Sequence, residues 1–561
     1  MQALRTLERL RTEFGGDASA RKRACLLALE RSPLAGPGAV RRLHEALCFL
    51  RAYPDDAAVL EQVERALAAF ARRADLGRHA DALADTGIAG TVIRYPFFAE
   101  TAFWLARRFP RGLHVDWKAL EDEEEQRLLD RLELLLVHGE GSGLDELDLG
   151  LREWLARLAG REEADGAFLA RRVAALEAGE FLKESYYDEL GLTLELRPGP
   201  TTPARTHARL RLDALPLPFA FQRGPLRRER PDLTLVTERP PRVHELTGAE
   251  GARCIELARE AMVTRARDLD VFAYGDPHDV RLLECEDGLA FAAIGFRPER
   301  RLLLEAVYGF LTLKNGVPIG YVLNSALFGS AEVAFNVFDT FRGAEAAHVY
   351  GWVIACVHHL FAVDTFTIYP YQLGQDNDEA IESAAWWFYQ KLGFRPRHSG
   401  AVALMKRELA RMRKRPSHRS SRATLRRLAD HNLYFSLARE RREVIGELAL
   451  GAVGLAISRL MAERFGSERE HGEEECQRLA AERFGLTSTA GWTDGERLAW
   501  RRWAPILGLL DGEENWSRAE RRAAVEVVRA KGGRRESEFV QRFDAHAKLR
   551  AALLRLTTRR R

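Results

Sequence analysis

The chain of 561 residues is short of several things, and each shortage narrows the reading. It has six cysteines, at 25, 48, 254, 285, 356 and 476, and no two of them stand at the spacing of a metal knuckle or redox motif. A reducing compartment fits that usage. Long hydrophobic runs are also missing. The longest uncharged stretch, Ala346 to Val363, carries His348, His358 and His359, and the purely apolar run Leu448 to Ile457 is about half the length of a membrane crossing. Met1 to Gly16 alternates Leu with Arg and Glu and has no apolar core of signal-peptide length. The expectation is a cytoplasmic, soluble protein with no membrane partner. Net charge is scarce too. Lys and Arg number 85 against 82 Asp and Glu, a formal +3 that is too small at this size to argue for nucleic acid, so any basic site must be local. Only nine of the 85 are Lys, which reads as genome base composition rather than mechanism.

What is present is ordinary globular material, 46% hydrophobic and 30% charged, in a length that predicts roughly three to four domains. Residues 1–195 read as a helical domain, with stripes such as Leu60, Val63, Leu67 and Phe70 at helical spacing. The acidic cluster Glu121 to Glu125 sits in register with Leu128, Leu129 and Leu132, as a solvated helix face does. Nine of the 21 prolines fall between 198 and 241, so 196–241 is expected to be a Pro-rich connector with short strands. Residues 242–405 alternate strand, helix and turn signals. Strands are predicted near 289–296, 304–313, 317–324 and 331–338, with Asn315-Gly316 as a two-residue hairpin loop. A helix over 344–361, a strand Phe366 to Tyr371 and a helix over 377–392 follow. A basic linker, 406–430, precedes a C-terminal helical region, 431–561. There Ala-Glu-Arg-Phe-Gly occurs at 462–466 and again at 481–485, too few copies for a solenoid.

The chemistry concentrates between Tyr308 and Phe394. The strand Glu332 to Phe338 empties through Asp339-Thr340-Phe341-Arg342-Gly343-Ala344-Glu345-Ala346-Ala347 straight into a helix. A helix N-terminus fed by a small-residue turn offers free N–H groups and the positive end of the dipole to an anion, and Arg342 adds a guanidinium. Downstream, Asp376 to Glu379 forms a capping signal. It opens a helix whose core stripe is Ile381, Ala385, Phe388 and Leu392, with Tyr389 at its edge and Gly393 placed to end it.

The pairing of Arg342-Gly343-Ala344-Glu345-Ala346-Ala347 with Phe388-Tyr389-Gln390-Lys391-Leu392-Gly393-Phe394 resembles the GNAT superfamily of N-acetyltransferases, over about 150 residues. The fold class that follows is an α-rich, multidomain α+β chain: a central GNAT-like mixed β-sheet flanked by helices, with all-helical N- and C-terminal regions. The resemblance implies an acyl-CoA-dependent N-acyltransferase. It would use acetyl-CoA or another acyl-CoA, with an amine-bearing small molecule or protein as acceptor and no metal. Arg342 and the backbone of Gly343, Ala344, Glu345, Ala346 and Ala347 would hold the cofactor pyrophosphate. Val337 and Phe338 would flank the pantetheine arm, and a backbone N–H of the same strand would stabilise the oxyanion. Tyr389 would protonate the leaving thiolate. Glu332 and Asp339 are the nearest carboxylates to serve as base.

Three positions depart from the family pattern. Glu345 stands where Gly is usual, and an inward carboxylate would repel pyrophosphate by roughly 1–3 kcal/mol. Glu382 replaces an Asn, and only Ala401 to Met405 remains for the closing strands, so the sheet is expected to be truncated or to be completed by another segment. These favour two alternatives: a GNAT-fold interaction or regulatory module without catalysis, and a transferase using an aminoacyl-tRNA donor. The second also draws on Lys406 to Arg427, where ten Lys or Arg face one acid, Glu408. That run has no aromatic residue for base stacking; RNA, DNA or an acidic protein face is one reading, and a solvated linker or helix face is the favoured one. Trp386 and Trp387 are expected to pack. Tyr369 and Tyr371 are expected to alternate on their strand with Ile368 and Pro370, and His358-His359 to complement a helix dipole.

Overall fold

The computed structural model describes residues 2–144, 146–212 and 217–558. The chain divides into two units: Met1–Leu226 with Arg253–Tyr274 and Lys314–Ile319, and Arg227–Ala252 with Gly275–Leu313 and Gly320–Arg561. In the first, helices Gln2–Leu10, Ala18–Arg31, Pro37–Ala52 and Ala57–Ala68 enclose a core of Leu4, Leu7, Leu43, Leu47, Val63, Leu67 and Phe70. Glu121 to Glu125 open the helix Asp122–Arg131, where acidic side chains complement the dipole. The region is not all-helical as expected. Strands β1 (Ile93–Tyr95), β2 (Leu113–Val115) and β3 (Leu194–Leu196) form an antiparallel sheet with β3 in the centre, packed on Phe103, Trp104, Trp154 and Phe168. Three-residue strands are too short to display a period of two, which hid them among helices.

The connector's expected short strands are absent among the described residues of 198–241. The regular element there is the helix Leu233–Thr237, capped by Asp232. Proline lacks the N–H a ladder needs, and that composition yields irregular chain instead.

The second unit is built on a nine-stranded sheet. Its strands are β4 (Arg242–Glu245), β5 (Gly275–Glu284), β6 (Leu289–Phe296), β7 (Ala306–Lys314), β8 (Val317–Leu327), β9 (Ser330–Val337), β10 (Thr365–Ile368), β11 (Arg395–Pro396) and β12 (Leu433–Ser436). The spatial order is β11-β12-β10-β9-β8-β7-β6-β5-β4. Strands β6 to β9 lie close to their predicted positions. Asn315 and Gly316 both take positive φ, +52° and +77°, the left-handed pair that a two-residue hairpin loop requires. The helix predicted over 344–361 is Ala346–Phe361.

Four expectations fail here. Strand β10 stops at Ile368 because Pro370 opens the short helix Pro370–Leu373, so Tyr369 and Tyr371 do not alternate on a strand. The helix predicted over 377–392 breaks at Ala384, in the left-handed region at φ +53°, into Asp378–Glu382 and Ala385–Lys391. Ala401 to Met405 form no strand; they belong to helix Ser399–Lys414, which with Arg422–Ala429 makes most of the expected linker helical. The sheet is completed by another segment, as the sequence allowed, but that segment, β12, comes from the region expected to be all-helical and is inserted antiparallel between β10 and β11.

Beyond β12 the chain is helical. Both Ala-Glu-Arg-Phe-Gly copies end helices, Gly451–Phe465 and Arg469–Phe484, at a glycine with positive φ, so the repeat is a C-terminal stop signal used twice. The last helices are tied to the sheet by buried polar contacts. Asp279 on β5 accepts from the Tyr308 hydroxyl at 2.6 Å and from the Glu536 N–H at 3.1 Å, and Lys531 pairs with Glu536. Among the described residues, no helix is long and apolar enough to cross a membrane.

Candidate functional site

The site is made where two parallel strands part. Strands β9 and β10 pair through Ser330↔Thr365, Ala331↔Phe366 and Glu332↔Thr367, and there the ladder ends. On its other edge β9 stays paired with β8 as far as Val337↔Gly320. From Val333 to Val337 one edge of β9 is therefore unladdered and opens a gap toward the end of β10.

The gap leads to the turn predicted as an anion site. Asp339–Phe341 is a single 3₁₀ turn, Gly343 takes φ +77°, and the helix Ala346–Phe361 starts directly after Glu345. The space where a Gly343 side chain would lie is open, so it is conformation that requires glycine here. By helix geometry the Ala346 and Ala347 N–H groups have no acceptor in their own helix and point out of its positive end. Glu345 is 4% exposed, and its carboxylate accepts from the Arg227 N–H at 2.9 Å, so the group expected to repel phosphate is held by the backbone of another segment. Arg342 is exposed and shared between Asp339, at 2.9 Å, and Glu379. Val337 is half-buried. Phe338 is buried with its ring 6.1 Å from that of Tyr321, and Ala344 is buried, so these two offer little side-chain surface to a ligand.

Tyr389 comes to the gap from helix Ala385–Lys391. Its ring packs against Phe388, Tyr350 and Phe394 at centroid distances of 5.2, 5.5 and 5.9 Å, and its hydroxyl oxygen accepts from the backbone N–H of Phe335, on β9. Burial holds that hydroxyl well above the ordinary tyrosine range, so it keeps its proton across the physiological pH span. The left-handed Ala384 sets the start of this helix, and with it the direction in which Tyr389 points. Glu382 lies on the preceding helix and pairs with Arg422 at 3.0 Å.

The other face of β9 carries the carboxylates. Phe335 packs on Tyr350 of helix Ala346–Phe361 at 5.3 Å, so by strand alternation Glu332, Ala334 and Asn336 face away from that helix. Beside Glu332 on β8 is Ser325, whose hydroxyl donates to Glu305 at 3.0 Å. Burial, and then the Glu305 charge, push Glu332 up to about 7. Tyr369, just past β10, is pushed up by burial first and then by Glu332 and Glu305, which places its hydroxyl in the same field. Tyr434 on β12 closes this corner, with its hydroxyl donated to Glu447. Asp339, the other carboxylate expected nearby, is exposed and paired with Arg342.

No family model, curated protein or solved structure matches the chain.

Of the sequence-predicted residues, the structure brings Tyr389 to the β9 edge and gathers Gly343 to Ala347 at the helix start, while Arg342 stands at the rim in ion pairs. Trp386 and Trp387 are buried, with their N–H groups donated to the Leu428 carbonyl and the Ser420 hydroxyl. His358 and His359 contact the carbonyls of Val363 and Thr237. Sequence reasoning missed Glu305, Tyr434, Arg230 and Arg419. Arg230 and Arg419 lie close enough to Lys391 that, after burial, their charges lower its proton affinity. Residues 230 and 419 are 161 and 28 positions from Lys391, and no local pattern joins them. Among the described residues, no group of three or more His, Cys, Asp or Glu is placed to hold a metal ion.

Proposed function

We propose that the second unit is an acyl-CoA-dependent N-acyltransferase of the GNAT type, acting on an amine. The observation that carries this reading is the parting of β9 from β10 with the Tyr389 hydroxyl held by the Phe335 N–H. An unladdered strand edge offers N–H and C=O groups to an extended amide-bearing arm, and a protonated phenol stands at that edge. The residues fit such a ligand. The turn ends in free helix N–H groups, Glu345 is engaged elsewhere, and Arg230, Lys391 and Arg419 form a cationic group in which no ion pair to a carboxylate occurs among the described residues.

In the transfer the amine nitrogen bonds to the thioester carbonyl carbon, and the carbon–sulfur bond breaks. A carboxylate whose pKa is about 7 can take the amine proton near neutral pH, and in this reading Glu332, on β9 and in the field of Glu305, is the base. Tyr389 supplies a proton to the departing sulfur. Backbone N–H groups of the β9 edge stabilise the oxyanion, in a place screened from water by Tyr350, Phe388 and Phe394.

Titration calorimetry with acetyl-CoA is the direct test. Saturable binding, weakened at least tenfold by Lys391→Gln, is expected; absence of binding up to millimolar concentration would refute the proposal.

A further inference from the structure

Eight of the ten cations of Lys406 to Arg427 are sorted by the fold into two groups, while Arg415 and Arg419 donate to the Ser417 hydroxyl and to the Pro416 and His418 carbonyls. Arg411 pairs with Glu408, Arg422 with Glu382 and Arg426 with Asp378. Lys406, Arg407, Arg413, Lys414 and Arg427 are exposed and make no ion pair among the described residues. The run's single acid gives the outer surface nothing. Glu408 is 1% exposed and already accepts from Arg411, His418 and Ser420.

Helix Ser399–Lys414 shows how these charges are presented. Ala401, Leu404, Met405 and Glu408 are its buried side. At about 100° per residue, Lys406 and Arg413 share one line on the opposite side, and Arg407 and Lys414 a second, each pair about two turns or 10 Å apart. Only Ala403 and Ala410 lie between them. Two rows of like charge with no answering carboxylate repel each other, and that cost is relieved by a polyanion.

The composition of the face narrows the occupant. It has no apolar stripe to enter a lipid interface, no aromatic residue to stack on an unpaired base, and no large apolar side chain to anchor the core of a protein interface. What it offers is a rigid array of cations, most of them guanidinium groups, which suits phosphates spaced along a stiff backbone.

We propose that the outer face of helix Ser399–Lys414 is a docking surface for the phosphate backbone of a duplex nucleic acid, read without regard to base sequence. The proposal stands apart from acyl transfer and depends on neither Tyr389 nor Glu332.

The test is fluorescence anisotropy of the full chain with a labelled RNA duplex of about 20 base pairs, titrated at several salt concentrations. Wild type is expected to bind with a strong inverse salt dependence. The variant K406Q/R407Q/R413Q/K414Q should bind at least tenfold more weakly, and its slope of log K against log salt should be shallower by about 3 to 4, at about 0.9 for each phosphate left without its cation. A control carrying the same charge change at exposed positions, R459Q/R464Q/R469Q/R518Q, should bind as wild type does. Three results would overturn the proposal: no saturable binding at low salt, equal losses in the two variants, or tighter binding to a polyglutamate peptide or to anionic lipid vesicles than to the duplex.

Discussion

Replacing Glu332 by Gln tests the proposed chemistry and the electrostatics of the site together. Glu332 begins from an ordinary value of 4.5 and is raised to about 7, by burial first and by Glu305 second. If the amine proton passes to Glu332, the rate at saturating acyl donor follows its ionised form. That form is about one tenth of the population at pH 6 and about nine tenths at pH 8, so turnover should rise nearly tenfold between them. Glu332→Gln should lower turnover by about 10²- to 10³-fold and flatten that rise. Glu305→Gln leaves the base in place but removes the neighbouring charge, so the midpoint should move to lower pH while the plateau is kept.

Stability gives a second readout with the opposite sense. The native state binds the Glu332 proton more tightly than the unfolded chain does. The group is therefore not destabilising below about pH 4.5, and its penalty grows as pH rises through 7. The gap between 4.5 and about 7 corresponds to at most about 3 kcal/mol. Glu332→Gln should accordingly stabilise the fold at pH 8, by urea denaturation, and have little effect at pH 4. A variant that retains full turnover with an unchanged pH profile would remove Glu332 from the mechanism. One whose stability is the same relative to wild type at both pH values would refute the burial argument.

Other residues give independent checks. Tyr389→Phe keeps the ring packing and removes the hydroxyl that accepts from the Phe335 N–H and would protonate the leaving sulfur, so turnover should fall at least tenfold with acetyl-CoA affinity nearly unchanged in calorimetry; an unaltered rate would refute its role. Glu345→Gln retains an acceptor for the Arg227 N–H while deleting a charge at the helix start, and acetyl-CoA should bind a few-fold tighter, as measured by thermal shift. Gly532→Ala would put a methyl 1.9 Å from the Gly495 carbonyl oxygen, where helices Asp494–Leu509 and Arg518–Gly532 cross. The expected loss is about 3 kcal/mol or more in chemical denaturation, and an unchanged midpoint would show that the crossing yields.

By itself the sequence determined what depends on neighbours along the chain. Asn315-Gly316 made its hairpin because both residues tolerate positive φ, and β6 to β9 declared themselves as β-rich runs between turn residues. The turn from β9 into helix Ala346–Phe361 was legible for the same reason. Asp287-Gly288, with φ +55° and +74°, was an equally local signal that could have revealed the β5–β6 hairpin. Tertiary structure alone decided the rest. Leu433–Ser436 is four residues long and becomes a strand only because β10 and β11 leave a place for it. Where β9 parts from β10 is a property of the sheet, as is the face on which Glu332 meets the field of Glu305 from another strand. What the Glu345 carboxylate bonds to depends on Arg227, 118 residues away. Local pattern fixes dihedral preferences, but charge acts through space, and only the folded chain sets which groups share it.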